Sequence, residues 1–482
     1  MVESANRMIH SAERLERLPI VRWHRLIALL VGLIYMYESL DLGITGTVTV
    51  VLGKFPGHTT FFIALFGVSI TIGIIIGMVF AGPLTDRFGK RRVLLVGLLI
   101  LIGLSGVIAI IPANFELLVI LRVIQGLGAG AVYAFPYPYL AEFIPRQRRG
   151  YYLAFIDLFF VFGYFLAPLL GLFVVPNLSA SISWRVVFAL GFVPIIFYPL
   201  YYKYLPQSPR WLERKGRTDE AEKILSKIEE TVQKQYGREL PALKINENAE
   251  RIEKIKFSYK ELFSRKYLKY SIPLWVYTSA MLSGFYLSNV YGPEIFKTIG
   301  YSSTIAFLLA TIMNGVMLGP KAAVMFLVDK VGRKKIALFL MFGAFILSMI
   351  LYAYHFSTIF IVIVVMFIFW SANSNSPLWR MFSSETYPTP ARGVGVYMNE
   401  IIGRLWSGVI FTFIAGYIIL QATLSISKTA GIYEAYLILG IVSAVGFIAV
   451  FFLKETTKMS LEDIEYEIRG AEADNNINGG GR

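Results

Sequence analysis

Eight ionisable residues interrupt long apolar runs of this sequence: the acids Glu38, Asp41, Asp157 and Glu400, and the bases Arg122, Lys321, Arg380 and Arg404. Each costs about 2.5–3.5 kcal/mol or more at the centre of a bilayer unless it is paired or hydrated. The signs balance, so internal pairing is expected. Asp41 and Arg122 stand at similar depths in their runs and form the expected pair. A carboxyl group that alternates between an arginine and a proton couples two events, because the proton removes the charge when the arginine leaves. Glu38 is one helical turn from Asp41 on the same face, and the spacing leaves open which of the two carries the proton. Arg404 lies about eleven residues into its run, or about 17 Å at 1.5 Å per residue, close to mid-membrane. A guanidinium at that depth can hold a carboxylate through two parallel hydrogen bonds.

Composition removes other chemistries. The sequence has no cysteine, and His10, His24, His58 and His355 lie at or beyond the ends of apolar runs. Disulfides, thiolate catalysis and a membrane-buried histidine metal site are thereby excluded. No cofactor and no metal are expected. A membrane-embedded enzyme would need a nucleophile with its base, or a metal, at that depth, so a carrier is expected and not an enzyme.

The elements that must position these groups are membrane helices. Of the 482 residues, 56% are hydrophobic and 16% charged. Apolar runs of about 20 residues, the length that crosses a hydrocarbon core of roughly 30 Å, follow one another with short breaks. The alternating strands of about ten residues that mark a membrane barrel are not seen. Helices are expected at about 25–53, 61–85, 93–112, 115–143, 150–175, 184–205, 268–297, 302–328, 335–355, 358–386, 393–420 and 431–453. The expected fold is an all-α polytopic membrane protein of twelve transmembrane helices in two pseudo-symmetric six-helix bundles. An N-terminal segment (1–24) precedes the first bundle (25–205), a linker with short helices (206–267) joins it to the second (268–453), and a tail (454–482) follows.

Cations set the orientation. Arg14, Arg17, Arg22 and Arg25 precede the first helix, Arg87 to Arg92 follow the second, Arg146, Arg148 and Arg149 follow the fourth, and Lys330 to Lys335 follow the eighth. The opposite loops hold isolated cations, Lys54, Lys297 and Lys428. By the positive-inside rule both termini and the linker are cytoplasmic, in a protein of the plasma membrane. The net charge of +14 then lies where anionic headgroups favour it, and no nucleic-acid partner is expected. The expected partners are a small-molecule substrate, protons and the lipid bilayer, with the chain a monomer. Met1 to Arg25 lacks a short apolar signal region, so the first helix is expected to be its own insertion signal. Thr218 to Leu225 and 250–263 read as amphipathic helices, and the tail after about 470 is of low complexity.

The chain is built twice. Gly82 to Arg92 packs Asp86, two glycines and the cations Arg87, Lys90, Arg91 and Arg92 between two apolar runs, and Asp329 to Lys335 repeats the pattern. Asp86, Arg87 and Arg91 with Glu142 and Arg149, and Asp329 and Arg333 with Glu385 and Arg392, are candidate ion pairs at cytoplasmic helix ends. Pairs that break and re-form as the halves rock suit a two-state gate; fixing the loops alone is the competing reading. Gly126, Gly128 and Gly130 lie inside an apolar helix and not after a strand, so they read as a close-packing stripe and not as a phosphate cradle.

These motifs resemble the major facilitator superfamily, and within it the sugar-porter and general-substrate-transporter branch, over nearly the whole chain. Gly82-xxx-Asp86-Arg87-x-Gly89-Lys90-Arg91 is similar to the superfamily's loop signature. Arg122-xxx-Gly126-x-Gly128-x-Gly130, Tyr139-Leu-Ala-Glu142-xx-Pro145-xxx-Arg149-Gly150 and Trp184-Arg185 resemble the branch signatures. So does Pro206-Gln207-Ser208-Pro209-Arg210-Trp211-Leu212, with Gln207 where an acid is usual. Tyr291-Gly-Pro293 and Glu385-xx-Pro388-xxx-Arg392-Gly393 repeat the pattern in the second half. The resemblance implies alternating access, with Asp41 the proton carrier and Arg122 its modulator.

Departures from the branch bear on the substrate. Its helix-seven glutamine pair is Ala280 and Met281 here, its helix-five glutamine is Asp157, its helix-ten tryptophan is Arg380 with Trp379 beside it, and its helix-eleven tryptophan is Arg404. The Gly403-Arg404 context is similar to the helix-eleven arginine of organic-anion and aromatic-acid proton symporters of the same superfamily. A site for neutral sugars wants amides and aromatic faces, whereas this one offers guanidinium groups. The reading leans to proton-coupled uptake of an organic anion, such as a sugar acid or an aromatic or other carboxylic acid, held by Arg404 and Arg380. The alternative is a neutral sugar, with those arginines neutralised by Glu400 and Asp157. Gln125, Tyr286, Asn289, Asn314 and Asn373 are candidate polar contacts in either case, and Ser288, Asn375 and Asn399 join them. A sensor that binds without transport is the remaining alternative.

Overall fold

The computed structural model describes residues 9–53, 59–112, 114–133, 135–243, 262–354, 358–387, 389–422 and 429–455. Among them regular structure is helical throughout. The expected helix at 250–263, up to residue 261, and the tail after 470 lie outside the described residues.

The first half runs α1 (Ser11–Glu16), α2 (Arg22–Leu52), α3 (Thr60–Phe88), α4 (Lys90–Ile110), α5 (Phe115–Tyr133), α6 (Pro136–Phe143), α7 (Arg146–Val174), α8 (Ala180–Phe192) and α9 (Tyr198–Tyr204). The linker carries α10 (Pro209–Arg214) and α11 (Thr218–Tyr236). The second half runs α12 (Arg265–Thr298), α13 (Ser303–Val316), α14 (Leu318–Val331), α15 (Arg333–Ala353), α16 (Thr358–Ser374), α17 (Ser376–Glu385), α18 (Thr389–Arg404), α19 (Thr412–Ala422) and α20 (Ala430–Phe452). Eleven stretches of the described residues are long and apolar enough to cross a membrane. α12 has the length, at 34 residues, and its serines, tyrosines and asparagine dilute its apolar character.

Several expected spans are broken. Proline, which lacks an N–H and fixes φ, starts a helix readily and continues one poorly. Accordingly Pro136 opens α6 after the break behind α5, and Pro194 lies in a 3-10 turn (Val193–Phe197) between α8 and α9. Asn375 separates α16 from α17, with Pro377 in the first turn of α17. After Arg404 the backbone widens into a π-helical turn, Leu405–Phe411, before α19.

By packing the chain divides into two units, Met1–Glu247 with Ser303–Gly315, and Asn248–Ser302 with Val316–Arg482. Ser303–Gly315, nearly all of α13, thus groups with the first unit by packing. The helix is interrupted by a turn at Met317 between α13 and α14, and a Cβ at Gly171 of α7 would meet the ring of Phe307.

Small residues set how closely the helices of the first unit approach. A Cβ on Gly126 would strike the Ile70 carbonyl and Gly73, and one on Gly130 would strike the Ile74 carbonyl, all on α3. Gly128 faces the other way, onto the Gly97 carbonyl of α4. The glycine stripe of α5 is therefore a seam between α3 and α4. Because the obstacle is backbone, Gly126→Leu is expected to exceed the usual overpacking cost of about 1–3 kcal/mol. Thermal unfolding of the detergent-purified protein should show a marked fall in melting temperature, and an unchanged transition would refute the seam.

On the linker side, α1 is clasped to α10 and α11. Ile9 packs with Leu212 and Ala221, and the Ile9 and Ser11 amides donate to Glu213 at 2.8 and 3.2 Å. Arg14 bridges Glu222 and Glu229, both at 2.6 Å, and Arg17 reaches Glu229 at 2.7 Å. Burial pushes the Glu229 carboxyl up, but the hydrogen bonds from Arg14 and Arg17 outweigh it and hold the group below its ordinary range. A depressed carboxylate stabilises the fold above its unfolded value, about 4.3, and that contribution is lost as pH falls through the lower folded value. Hydrogen exchange at 11–16 is expected to stay protected down to about pH 4.5 and to open below it. In Glu229→Gln the same amides should exchange faster at neutral pH; equal protection there would sink this account.

Candidate functional site

Asp41 of α2 and Arg122 of α5 meet at 3.0 Å with both side chains wholly buried. The guanidinium donates from Nη1 to Asp41 Oδ2 and to Gln125 Oε1 (2.8 Å), and from Nη2 to the Asp41 carbonyl (3.3 Å) and the Thr45 hydroxyl. Gln125 Nε2 donates to Asp41 Oδ1 at 3.0 Å, to Ser105 Oγ at 2.7 Å and to the Leu101 carbonyl at 2.9 Å. Ser105 of α4 donates to Asp41 Oδ1 at 3.4 Å and shares a 3.2 Å hydrogen bond with Tyr37. The rings of Phe66 and Phe188 flank the guanidinium, their centroids 5.8 and 5.5 Å from its central carbon. The site is thus a neutral ion pair inside a polar shell, walled by aromatic rings. Within it the two charges cancel, and separating them while both stay buried would be costly.

Gln125, a candidate substrate contact by sequence, is placed inside this cluster. Thr45 and Ser105 were not foreseen. Thr45 follows Asp41 by four residues, a helical spacing that puts both on one face, so that signal was available; Ser105 carries none. Glu38 is fully buried on α2.

The second cluster is on α18. Arg404, 4% exposed, and Glu400, 6% exposed, meet at Nε to Oε2, 3.3 Å, across one helical turn. Arg404 Nη1 donates to the Tyr286 hydroxyl of α12 at 2.6 Å. A Cβ on the preceding residue, Gly403, would press on Thr278 and Leu282 of α12. This close approach brings the arginine to the tyrosine. The π-helical turn begins directly after Arg404, so the helical register shifts at the residue that carries the charge.

The remaining candidates scatter. Asp157 accepts from the Tyr137 hydroxyl at 2.7 Å. Arg380 is half-buried on α17 with its guanidinium over the Trp379 ring, 5.4 Å from the centroid. Asn289, Asn314 and Asn373 each donate to the carbonyl one turn back, of Phe285, Ala310 and Phe369. Asn399, fully buried one residue before Glu400, has no hydrogen-bond partner for either side-chain atom among the described residues.

At the cytoplasmic ends the pairing differs in detail from the expected one. Glu142 takes its ion pair from Lys90. Arg91 donates instead to backbone carbonyls, of Leu205 at 2.6 Å and of Tyr202. Arg149 reaches Glu16 of α1 at 3.3 Å and the Ile144 carbonyl. Asp86 and Arg87 are exposed, and the Asp86 carbonyl accepts from the Trp211 indole. The side chains of Asp329, Glu385 and Arg392 lie outside the described residues. Arg333 is described through its amide, which donates to Glu455 at 3.1 Å.

The two halves share one device here. Gly89 and Gly332, with φ of 83° and 100°, turn the chain between consecutive helices. The third residue after the last helix of each half then caps the new helix. Gln207 accepts from the Arg91 amide at 3.2 Å and donates to the Phe88 carbonyl; Glu455 accepts from the Arg333 and Lys334 amides at 3.1 and 3.0 Å. Glutamine in place of the usual acid suits the first half, because one partner is a carbonyl that only a donor can satisfy.

This repeated loop, the paired units and the buried ion pairs agree with the sequence comparisons. The profile of the Sugar (and other) transporter family matches residues 26–468. The chain belongs to that family. It is a membrane-spanning transporter of the major facilitator superfamily and not an enzyme. The transporter is 30% identical over 413 residues to the arabinose-proton symporter of Bacillus subtilis, covering 82% of this chain and 84% of that one. It is 26% identical to the niacin transporter NiaP of Acinetobacter baylyi, over 94% of this chain and 98% of the relative. Among solved structures, the partially occluded inward-open xylose transporter XylE from E. coli superposes with a TM-score of 0.69 at 22% identity, covering 91% of this chain and all of that one. That likeness shows the twelve-helix fold.

Proposed function

We propose that the transporter takes up a small organic anion, such as a sugar acid or an aromatic carboxylic acid, together with protons, by alternating access, with both termini in the cytoplasm of a plasma-membrane carrier. The single observation that carries this reading is Arg404, a buried guanidinium held by Glu400 and Tyr286. The niacin carrier among its relatives transports an aromatic carboxylate, which supports the anion; the arabinose-proton symporter supports proton coupling. Asp41 is the proton carrier, Arg122 its modulator, and Gln125 with Ser105 orients the carboxylate. Arg380 is assigned to the substrate's charged end and Asp157 to a substrate donor. Lys90 with Glu142 is assigned to the cytoplasmic gate. Among these roles Asn399, with both amide atoms unmatched among the described residues, is a natural partner for a substrate hydroxyl.

A neutral sugar is the second reading, favoured by the family and by the arabinose and xylose carriers. Uptake into proteoliposomes with an inward pH gradient decides between them. Niacin, benzoate and gluconate are expected to accumulate and L-arabinose and D-xylose are not; the reverse pattern would establish the sugar reading.

A further inference from the structure

We infer that Ser105 is the acceptor to which Asp41 donates a hydrogen bond once it is protonated, and that this bond sets the pH at which the carrier loads. Ser105 is thus a positioning residue. The inference rests on the reading of Asp41 as the proton carrier and adds the partner that a neutral carboxyl group needs. An ionised carboxylate only accepts hydrogen bonds, whereas a protonated one has an O–H to donate. Among the described residues three side chains reach the Asp41 carboxyl group: Arg122 Nη1 at Oδ2, with Gln125 Nε2 and Ser105 Oγ at Oδ1. A guanidinium has no acceptor. The Gln125 amide is fixed with its nitrogen toward Asp41, because its oxygen accepts from Arg122 while its nitrogen donates to the Leu101 carbonyl. Oδ2 is therefore closed by a donor. A proton on Oδ1 finds one acceptor among these groups, the Ser105 oxygen.

Ser105 can change the direction of its bond without moving. Its hydroxyl lies between two acceptors at nearly equal distance, Asp41 Oδ1 at 3.4 Å and the Leu101 carbonyl, one helical turn back, at 3.5 Å. One O–H can serve only one of them well. With Asp41 ionised it donates to the carboxylate. When a proton from water bonds to Oδ1, the Ser105 hydroxyl turns to Leu101 and its oxygen accepts from Asp41; one O–H bond forms on Asp41 and no bond of the protein breaks. Tyr37, 3.2 Å from Ser105, can donate to that oxygen in both states. Arg122 keeps the Gln125 oxygen, the Thr45 hydroxyl and the Asp41 carbonyl throughout.

Of the elements packed against α2, α5 presents Arg122 to this point, α7 presents Tyr164 beside Gly43, and α8 carries Arg185, which donates to the Ala109 and Ile111 carbonyls. On α2 itself Glu38 lies one turn before Asp41. Asp157 of α7, two turns nearer the linker than Tyr164, accepts from Tyr137 of α6. Asp86 and Arg87 of α3, Glu142 of α6 and the charges of α11 stand at the linker side.

Infrared difference spectra of the protein in proteoliposomes, recorded as the pH is lowered, follow the C=O stretch of protonated carboxyl groups and need no substrate. A band lost in Asp41→Asn reports Asp41, and isotope-labelled aspartate separates it from Glu38 without any variant. In Ser105→Ala the neutral carboxyl group loses its acceptor, while the carboxylate keeps Arg122 and Gln125. The Asp41 band should then appear about one to two pH units lower and at a higher frequency, because its O–H is no longer bonded. Ser105→Thr should restore both values. Gly191 of α8 leaves that side of Ser105 uncrowded, since even a Cβ there would stand 3.4 Å from its Oγ and 3.6 Å from its Cβ. An Asp41 band with unchanged midpoint and frequency in Ser105→Ala, or a shift that Ser105→Thr shares, would overturn the inference and leave Asp41 as the carrier. Spectra with no titrating aspartate band would overturn the carrier reading and the inference together.

Discussion

Asp41→Asn is expected to abolish concentrative uptake driven by a pH gradient while leaving exchange of labelled for unlabelled substrate measurable. An inward gradient of one pH unit supplies about 1.36 kcal/mol per coupled proton, roughly tenfold accumulation for each. The amide has nearly the shape of the carboxyl group, but its single oxygen replaces only one of the two acceptors that Asp41 offers to Arg122 and Gln125, and it can neither take up nor release a proton. Arg122 would be left as a buried cation whose counter-ion is gone. Losing one partner of a buried pair costs about 3–5 kcal/mol, so a lower melting temperature should accompany the transport defect. Glu38→Gln provides the contrast, since Glu38 lies one turn away and is also fully buried. Accumulation that survives in Asp41→Asn and fails in Glu38→Gln would move the proton site to Glu38.

Arg404→Ala carries the second large effect. Truncating one partner of a buried, hydrogen-bonded charge pair typically costs about 2–5 kcal/mol of binding, so anion affinity should fall by roughly thirtyfold to several thousandfold. Glu400 and the Tyr286 hydroxyl lose the same donor, and part of any stability loss will come from them. Replacing Arg404 and Glu400 together by leucine removes both charges and should recover much of that stability, because a buried pair exchanged for apolar residues is often close to neutral. It should not recover anion binding. An anion affinity unchanged in Arg404→Ala, measured by competition against labelled niacin, would end the carboxylate-clamp reading.

Much of the candidate site was legible as a matter of cost. A charge inside an apolar run must be paired, and the rise of a helix converts residue number into depth, so Asp41 and Arg122 could be matched although they are 81 positions apart. The Glu400 and Arg404 pair is legible from spacing alone, being one turn apart on one helix. What spacing could not show is which way each helix is rotated. Gln125 is within one turn of Arg122 and reads equally well as a substrate contact, yet its amide is placed on Asp41 and Ser105. At the gate, cations crowded into one loop are interchangeable in sequence, and the fold gives Glu142 to Lys90 and turns Arg91 to backbone carbonyls.

By itself the sequence determined the membrane class, the position of nearly every span, the duplication marked by Gly89 and Gly332, and the residues too costly to be buried alone. Those follow from bilayer thickness, helical rise and desolvation, which act on any chain of this composition. Tertiary structure alone decided the π-helical turn after Arg404, the packing of α13 with the first unit, the clasp of α1 on α10 and α11, and the capping of each repeated loop by Gln207 or Glu455. These depend on contacts between residues far apart in the chain, where helix rotation and the closeness permitted by glycine choose one partner among several of the same chemical type.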